Sequence, residues 1–224
     1  VSMVYSTSKQ KNLSGRLLAA IVLLSAIVGY AKTDVPVFLL AGQSNMTGYA
    51  ASSGLQTNEK SDVQNVKIYM DITWEGNASR VKKWLTLGIN FGAQGTNIGP
   101  ELFFGKTLSD SMPGQKIALI KVSCGSTYLA NNTAKASDCW VPPSSNNGSA
   151  GPHYQRMISA IDAALKSFNT AYDTTLYTPR WAGFVWLQGE FDAYETQYAN
   201  AYEKNLTNLI NDVRSALKIT DLPV

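Results

Sequence analysis

The sequence predicts an α/β protein, a parallel sheet with helices packed on both of its faces. Three observations predict it. Apolar runs at residues 37–41, 117–122 and 182–187 are too short for helices and read as buried strands. Stripes of apolar residues at helical spacing separate and follow those runs. Each run also stops on small polar residues: Gln43-Ser44-Asn45, then Ser123-Cys124-Gly125-Ser126-Thr127, then Gln188-Gly189-Glu190. Open α/β sheets carry their sites at such strand ends.

Residues 1–31 read as a secretory signal peptide, with residues 1 and 2 as upstream additions. Lys9, Lys11 and Arg16 form a basic leader, residues 17–28 are apolar except for Ser25, and Gly29-Tyr30-Ala31 supplies small residues for cleavage after Ala31. The apolar run is shorter than the ~20 residues a bilayer needs, so no lasting membrane association is expected after cleavage. Residues 32–224 are then one secreted domain. The net charge of +3 rests largely on the leader's Lys9, Lys11 and Arg16, which argues against a nucleic-acid partner. In an exported protein, Cys124 and Cys139 read as a disulfide, which would stabilise by ~3 kcal/mol on a chain-entropy argument. Asn77, Asn131, Asn147 and Asn205 open Asn-x-Ser/Thr sequons.

The elements follow in order. The first strand is bounded by Pro36 and Gly42. A polar stretch to Asn65 reads as a long loop, and residues 66–70 as a strand. Between Asp71 and Gly99 there is no period. Trp74, Trp84 and Phe91 stand there with two readings open, stacking on sugar rings or plugging a core edge. Gly99-Pro100-Glu101 starts a helix, with proline in the first turn, an acid at the positive end and Leu102, Phe103 and Leu108 as its apolar face. Met112-Pro113-Gly114 ends it. Tyr154, Met157, Ile158, Ile161, Leu165 and Phe168 give an amphipathic helix to about Asn169, after an exposed loop at 141–152. Tyr194, Tyr198, Tyr202, Leu206, Leu209, Val213 and Leu217 give a last helix whose three tyrosines read as core. Asp221-Leu222-Pro223-Val224 reads as the start of another strand.

Three blocks carry a resemblance. Ala41-Gly42-Gln43-Ser44-Asn45-Met46-x-Gly48, the Gly125 and Thr127 pair with Trp140 behind it, and Trp186-Leu187-Gln188-Gly189-Glu190-Phe191-Asp192-Ala193 together resemble the SGNH hydrolases. The nearer likeness is to the branch of sialate O-acetylesterases and the acetylxylan esterases of carbohydrate esterase family six. The resemblance implies a flavodoxin-like three-layer α/β/α sandwich. It also implies an enzyme without metal or cofactor whose substrate is an acetylated sugar or polysaccharide. Two positions depart from pattern: Met46 stands where an ordinary esterase turn has glycine, and Ser126 replaces a glycine of the second block.

Acyl transfer needs a nucleophile, a base, an orienter for the base and an oxyanion hole. Ser44 is the candidate nucleophile. The N–H groups of Ser44 and Gly125, with the Gln188 amide, are the candidate oxyanion hole. Glu190 has two readings, an acidic partner of the catalytic histidine or a carboxylate that fixes backbone amides. Asp192 reads as structural. The family's base is a histidine in an Asp-x-x-His block beyond Val224, so the domain is expected to be incomplete at its C-terminus, without its last strand, helix and histidine block. His153, the one histidine of the sequence, reads as a surface or loop residue. Two functions follow: a secreted serine esterase that removes O-acetyl groups from carbohydrate, or an inactive carbohydrate-binding protein on the same fold.

Overall fold

The computed structural model describes residues 31–72 and 78–224. Residues 1–30 of the expected signal peptide, Trp74 and the Asn77 sequon lie outside them. In chain order the elements are β1 (Thr33–Gly42), α1 (Ser44–Thr47), β2 (Ala50–Ala51), β3 (Val63–Ile72), β4 (Trp84–Leu87), β5 (Asn97–Ile98), α2 (Pro100–Ser111), β6 (Ile117–Ser123), α3 (Pro152–Lys166), β7 (Tyr177–Leu187) and α4 (Thr196–Leu217). Five strands form the main sheet in the order β4-β3-β6-β1-β7, and β2 pairs with β5 apart from it. β3, β6, β1 and β7 run parallel, while β4 is antiparallel on β3, so the sheet is mixed.

The three layers follow from the period of two along the strands. Val35, Val37, Leu39 and Ala41 of β1 face one core, filled by Tyr154, Met157, Ile161 and Ala164 of α3 and by Leu209 and Val213 of α4. Leu40 and Phe38 face the other core, with Ile68, Leu119 and the Phe104 and Leu108 side chains of α2. Among the described residues, no helix is long and apolar enough to cross a membrane.

Several expectations change. β7 begins at Tyr177 rather than at residue 182, passing through Pro179. Proline breaks an apolar reading but is tolerated on the outer strand of a sheet, where its missing donor leaves no ladder bond unmade. The aperiodic stretch after Asp71 holds β4 and β5. Trp84 is buried, donates from Nε1 to the Ala164 carbonyl at 3.0 Å and meets Phe168 and Tyr172 edge-on. Phe91 is buried as well, so both aromatics belong to the core. Tyr194 is 80% exposed and so is not core. It sits in the tight turn before α4, where the helical phase does not yet apply. Residues 221–224 form no strand, although the Pro223 carbonyl accepts from the Phe184 N–H at 2.8 Å. Asn205 is buried in α4, which rules it out as a glycan acceptor in the folded domain.

The expected Cys124–Cys139 disulfide is not formed, and both residues are buried thiols. The second-block loop pairs Cys139 with Tyr128, not with Cys124. The sulfurs then turn to separate carbonyls, Cys139 Sγ to Lys135 at 3.3 Å and Cys124 Sγ to Gly125 at 3.6 Å.

Candidate active site

Strand register brings the three polar ends together. Gly42 pairs with Ser123 on one side and with Leu187 on the other. Beyond the pairing, the Gln43 N–H donates to the Leu187 carbonyl at 3.0 Å, and the Cys124 N–H to the Gly42 carbonyl at 3.1 Å. A Cβ at Gly42 would stand 2.0 Å from the Leu187 oxygen, so only glycine lets β1 and β7 close at this point. The chain then turns into α1, a single helical turn closed by Thr47 N–H to Gln43 O (2.8 Å) and Gly48 N–H to Ser44 O (2.9 Å). Ser44 opens that turn, half-buried.

Side chains tie the blocks to one another. The Gln188 amide donates to the Thr127 carbonyl at 2.8 Å and to Asp192 at 2.7 Å. Asp192, fully buried, also accepts from the Leu129 and Ala130 N–H groups at 2.8 and 2.9 Å. The third block thus fixes the loop of the second. Trp140 Nε1 donates to Thr127 Oγ1 at 2.8 Å, and that hydroxyl donates to the Cys124 carbonyl at 3.0 Å. The Asn45 amide donates to the Glu190 carboxylate, joining the first block to the third. Ser126, standing where the resemblance expects glycine, holds a left-handed backbone with φ of 61°.

So Ser44, Gly125 and Gln188 lie at neighbouring strand ends, but their surroundings differ from expectation in two respects. Both hydrogens of the Gln188 amide are already engaged, with Thr127 and Asp192. Glu190 meets Asn45 and no histidine.

Five buried side-chain polar atoms lack a hydrogen-bond partner among the described residues. Three of them, Gln43 Oε1, Ser123 Oγ and Gln188 Oε1, belong to the ends of β1, β6 and β7. Orphaned polar groups in a folded protein need an explanation, and here they gather around the turn that carries Ser44. The other two are the ring nitrogens of His153. The histidine expected at the surface is buried in the first turn of α3, its ring 5.2 Å from Trp140, while its backbone N–H donates to the Cys139 carbonyl at 3.1 Å. The loop expected to be exposed at 141–152 ends buried at Gly151, whose N–H donates to the Val141 carbonyl at 2.8 Å, while Pro152 stays exposed. Burial, helped by the nearby Arg156 charge, lowers the His153 pKa to about 4.

Sequence reasoning missed a buried ion pair behind the site. Lys121 of β6 and Glu101 of α2 are both fully buried, with Nζ and Oε2 2.5 Å apart. The ammonium also donates to the carbonyls of Thr47 (2.9 Å) and Phe91 (3.0 Å), so all three of its protons have acceptors. The other Glu101 oxygen accepts from the Gly99 N–H at 2.9 Å. Lys121 therefore anchors the far end of the turn that Ser44 begins. A lysine inside a buried apolar run was the available signal. Among the described residues there is no cluster of three side chains able to hold a metal ion.

Residues 34–224 match the family model described as carbohydrate esterase, sialic acid-specific acetylesterase. No curated protein matches the chain. Three similar solved structures are a protein from Arabidopsis thaliana (19% identity, TM-score 0.57), a carbohydrate acetylesterase from Xanthomonas citri (19%, 0.53) and NanS (20%, 0.54). Each is matched over 84% of this chain, which spans 71%, 39% and 64% of their respective lengths. At these identities the likeness is one of fold, an α/β sandwich shared with acetylesterases.

Proposed function

The chain belongs to the carbohydrate esterase family described as sialic acid-specific acetylesterase, and from that membership we propose that it is an exported serine esterase which removes O-acetyl groups from carbohydrate. The observation that carries this reading is the junction of β1, β6 and β7, which presents Ser44 on a one-turn helix among three orphaned polar atoms.

In this reading Ser44 Oγ attacks the acetyl carbonyl carbon as a base removes its proton. The negative charge that develops on the carbonyl oxygen is met by the N–H groups of Ser44 and Gly125. The Ser44 N–H stands at the start of a helical turn, where no intrahelical acceptor exists for it. Gln188 supports that hole by holding Thr127 and Asp192 in place, and it reaches the oxyanion only by giving up one of them. Collapse of the tetrahedral species breaks the ester C–O bond, and the sugar oxygen leaves with the proton returned by the base. Water, losing a proton to the base, then attacks the acetyl carbon of acetyl-Ser44. The bond from that carbon to Ser44 Oγ breaks, the acetyl group leaves with the water oxygen as acetate, and the base returns the proton to Oγ. Losing one oxyanion donor from such a site costs ~2.7–4 kcal/mol of transition-state stabilisation.

The base in this reading is a histidine outside residues 31–224. His153 packs on Trp140 with both ring nitrogens buried and, among the described residues, without a hydrogen-bond partner, so no bond joins it to Ser44. The same observation favours a second reading, an inactive carbohydrate-binding protein. Hydrolysis of p-nitrophenyl acetate separates the two. Residues 32–224 should turn it over very poorly. A natural C-terminal extension with an Asp-x-x-His block should raise the rate by orders of magnitude, and Ser44→Ala should abolish the gain. Strong activity of residues 32–224 that His153→Ala removes would move the base to residue 153. Export is read by sequencing the N-terminus of the extracellular protein, expected at Lys32.

A further inference from the structure

The turn that carries Ser44 is too short to hold its own shape. Among the described residues α1 closes on two bonds of its own, from the Thr47 and Gly48 N–H groups. A first helical turn fixes several dihedral angles for each bond it gains, so a lone turn is unfavourable in water. The carbonyls at its end also lack an intrahelical donor. Groups from elsewhere in the chain supply what is missing. Lys121 Nζ donates to the Thr47 carbonyl at 2.9 Å, and the Ala93 N–H donates to the Gly48 carbonyl at 2.8 Å.

The same ammonium gathers two more pieces of chain, through the Phe91 carbonyl and through Glu101, which in turn holds the Gly99 N–H. Close backbone approach makes room for this. A Cβ at Gly48 would stand 2.2 Å from the Gly99 Cα, and one at Gly99 would stand 2.6 Å from Glu101 Oε2 and 3.1 Å from Lys121 Nζ. So α1, the segment at 91–93 and the start of α2 meet around one buried charge. Stability does not explain a charge there. Exchanging a buried ion pair for apolar residues of similar volume is often neutral or stabilising, and residues 117–120 and 122 of β6 are all apolar. What an apolar pair lacks is donors directed at the Thr47 and Phe91 carbonyls.

Resting on the esterase reading above, we propose that Lys121 and Glu101 are a positioning pair for the reaction: they set the pitch of α1, and through it the Ser44 hydroxyl and N–H, and their charges serve placement and not stability. Neither residue touches the substrate. Lys121 acts from the far end of the turn, and the bond from the Gly48 N–H to the Ser44 carbonyl carries a shift at that end back to Ser44. The hydroxyl must meet the acetyl carbon in line while the N–H points at the oxygen that gains charge. A misplacement of about 1 Å, caused from outside the reacting groups, costs a rate on the order of 10²-fold.

The test uses the full natural chain and removes both charges at once, Lys121→Met with Glu101→Leu. Urea unfolding, kcat and KM on p-nitrophenyl acetate, and amide hydrogen exchange are read on the same protein. The unfolding midpoint should stay close to the parent's. The kcat should fall roughly 10²-fold with KM little changed, the mark of an interaction felt in the transition state. Exchange should quicken at Thr47 and Gly48 and stay unchanged at Leu39 in β1. Unaltered exchange at 47 and 48 would overturn the inference, as would Ser44-dependent turnover at the parent's kcat. A double variant that does not fold would overturn it too, because the charges would then serve stability. The esterase reading is scored separately, by Ser44→Ala in the parent. Turnover that survives Ser44→Ala sinks the esterase, and exchange at 47 and 48 still decides whether the pair sets the turn. Turnover that needs Ser44 but ignores the double exchange sinks the positioning pair alone.

Discussion

Lys121 and His153 are both buried titratable side chains, one on each face of the sheet, and the fold treats them in opposite ways. Lys121 has an acceptor for each of its three protons, and its partner Glu101 has a second donor in Gly99. Among the described residues His153 has no partner for either ring nitrogen, and it is held by ring packing on Trp140. Burial lowers the pKa of both groups, but at Lys121 the Glu101 charge and hydrogen bond oppose that shift. The difference teaches which buried polar group is part of the framework. A lysine with a complete set of acceptors is a joint between β6, α1 and α2. A histidine with none is a neutral ring filling space, and its protonation is a liability.

The sharpest way to break this comparison is to remove one half of the joint. Lys121→Met leaves the Glu101 carboxylate buried without its counter-charge and should cost about 3–5 kcal/mol. Exchanging both residues, Lys121→Met with Glu101→Leu, should restore most of that loss, because no charge then remains buried. Urea unfolding measures both. A single variant as stable as the parent would show that the pair is no joint.

His153 should show itself in pH dependence. Its folded pKa of about 4 lies below the ordinary value of 6.5, so between those values the unfolded chain binds a proton that the folded chain refuses. Stability is therefore fully present above pH 6.5 and lost as pH falls toward 4. The loss is roughly 3 kcal/mol, from 1.36 kcal/mol per pKa unit. His153→Phe should flatten the slope of the unfolding midpoint in that window. An unchanged slope would place the proton uptake elsewhere.

Asp192 extends the comparison to the site itself. It is a buried carboxylate with three donors, two backbone and one from Gln188. Asp192→Asn turns an NH₂ group toward one of those donors and should cost roughly 2 kcal/mol. Amide hydrogen exchange should quicken at Leu129 and Ala130 and stay unchanged at Ala164. Protection unaltered at 129 and 130 would mean that the carboxylate does not hold the loop.

The smallest effect concerns backbone instead of charge. Ser126 is exposed and left-handed. A non-glycine residue there costs ~1–2 kcal/mol, and glycine's extra freedom in the unfolded chain offsets about 0.5–1 of it. Ser126→Gly should raise stability by less than about 1 kcal/mol in thermal unfolding. A decrease would show that the serine hydroxyl contributes more than the strain takes away.

By itself the sequence determined the layered fold and the place of the site. Short apolar runs closed by Gly42, Ser123 and Gln188 make strands whatever else the chain does, and helical stripes such as Tyr154 to Phe168 make the covering layers. Those are local properties, legible from neighbours in sequence. Tertiary structure alone decided which residues meet across distance. The Asn45–Glu190 bond spans 145 positions and the Lys121–Glu101 pair spans 20, and both depend on the register between strands. Register also put Cys139 beside Tyr128 instead of Cys124, drew β4 out of an aperiodic stretch, and buried His153 against Trp140.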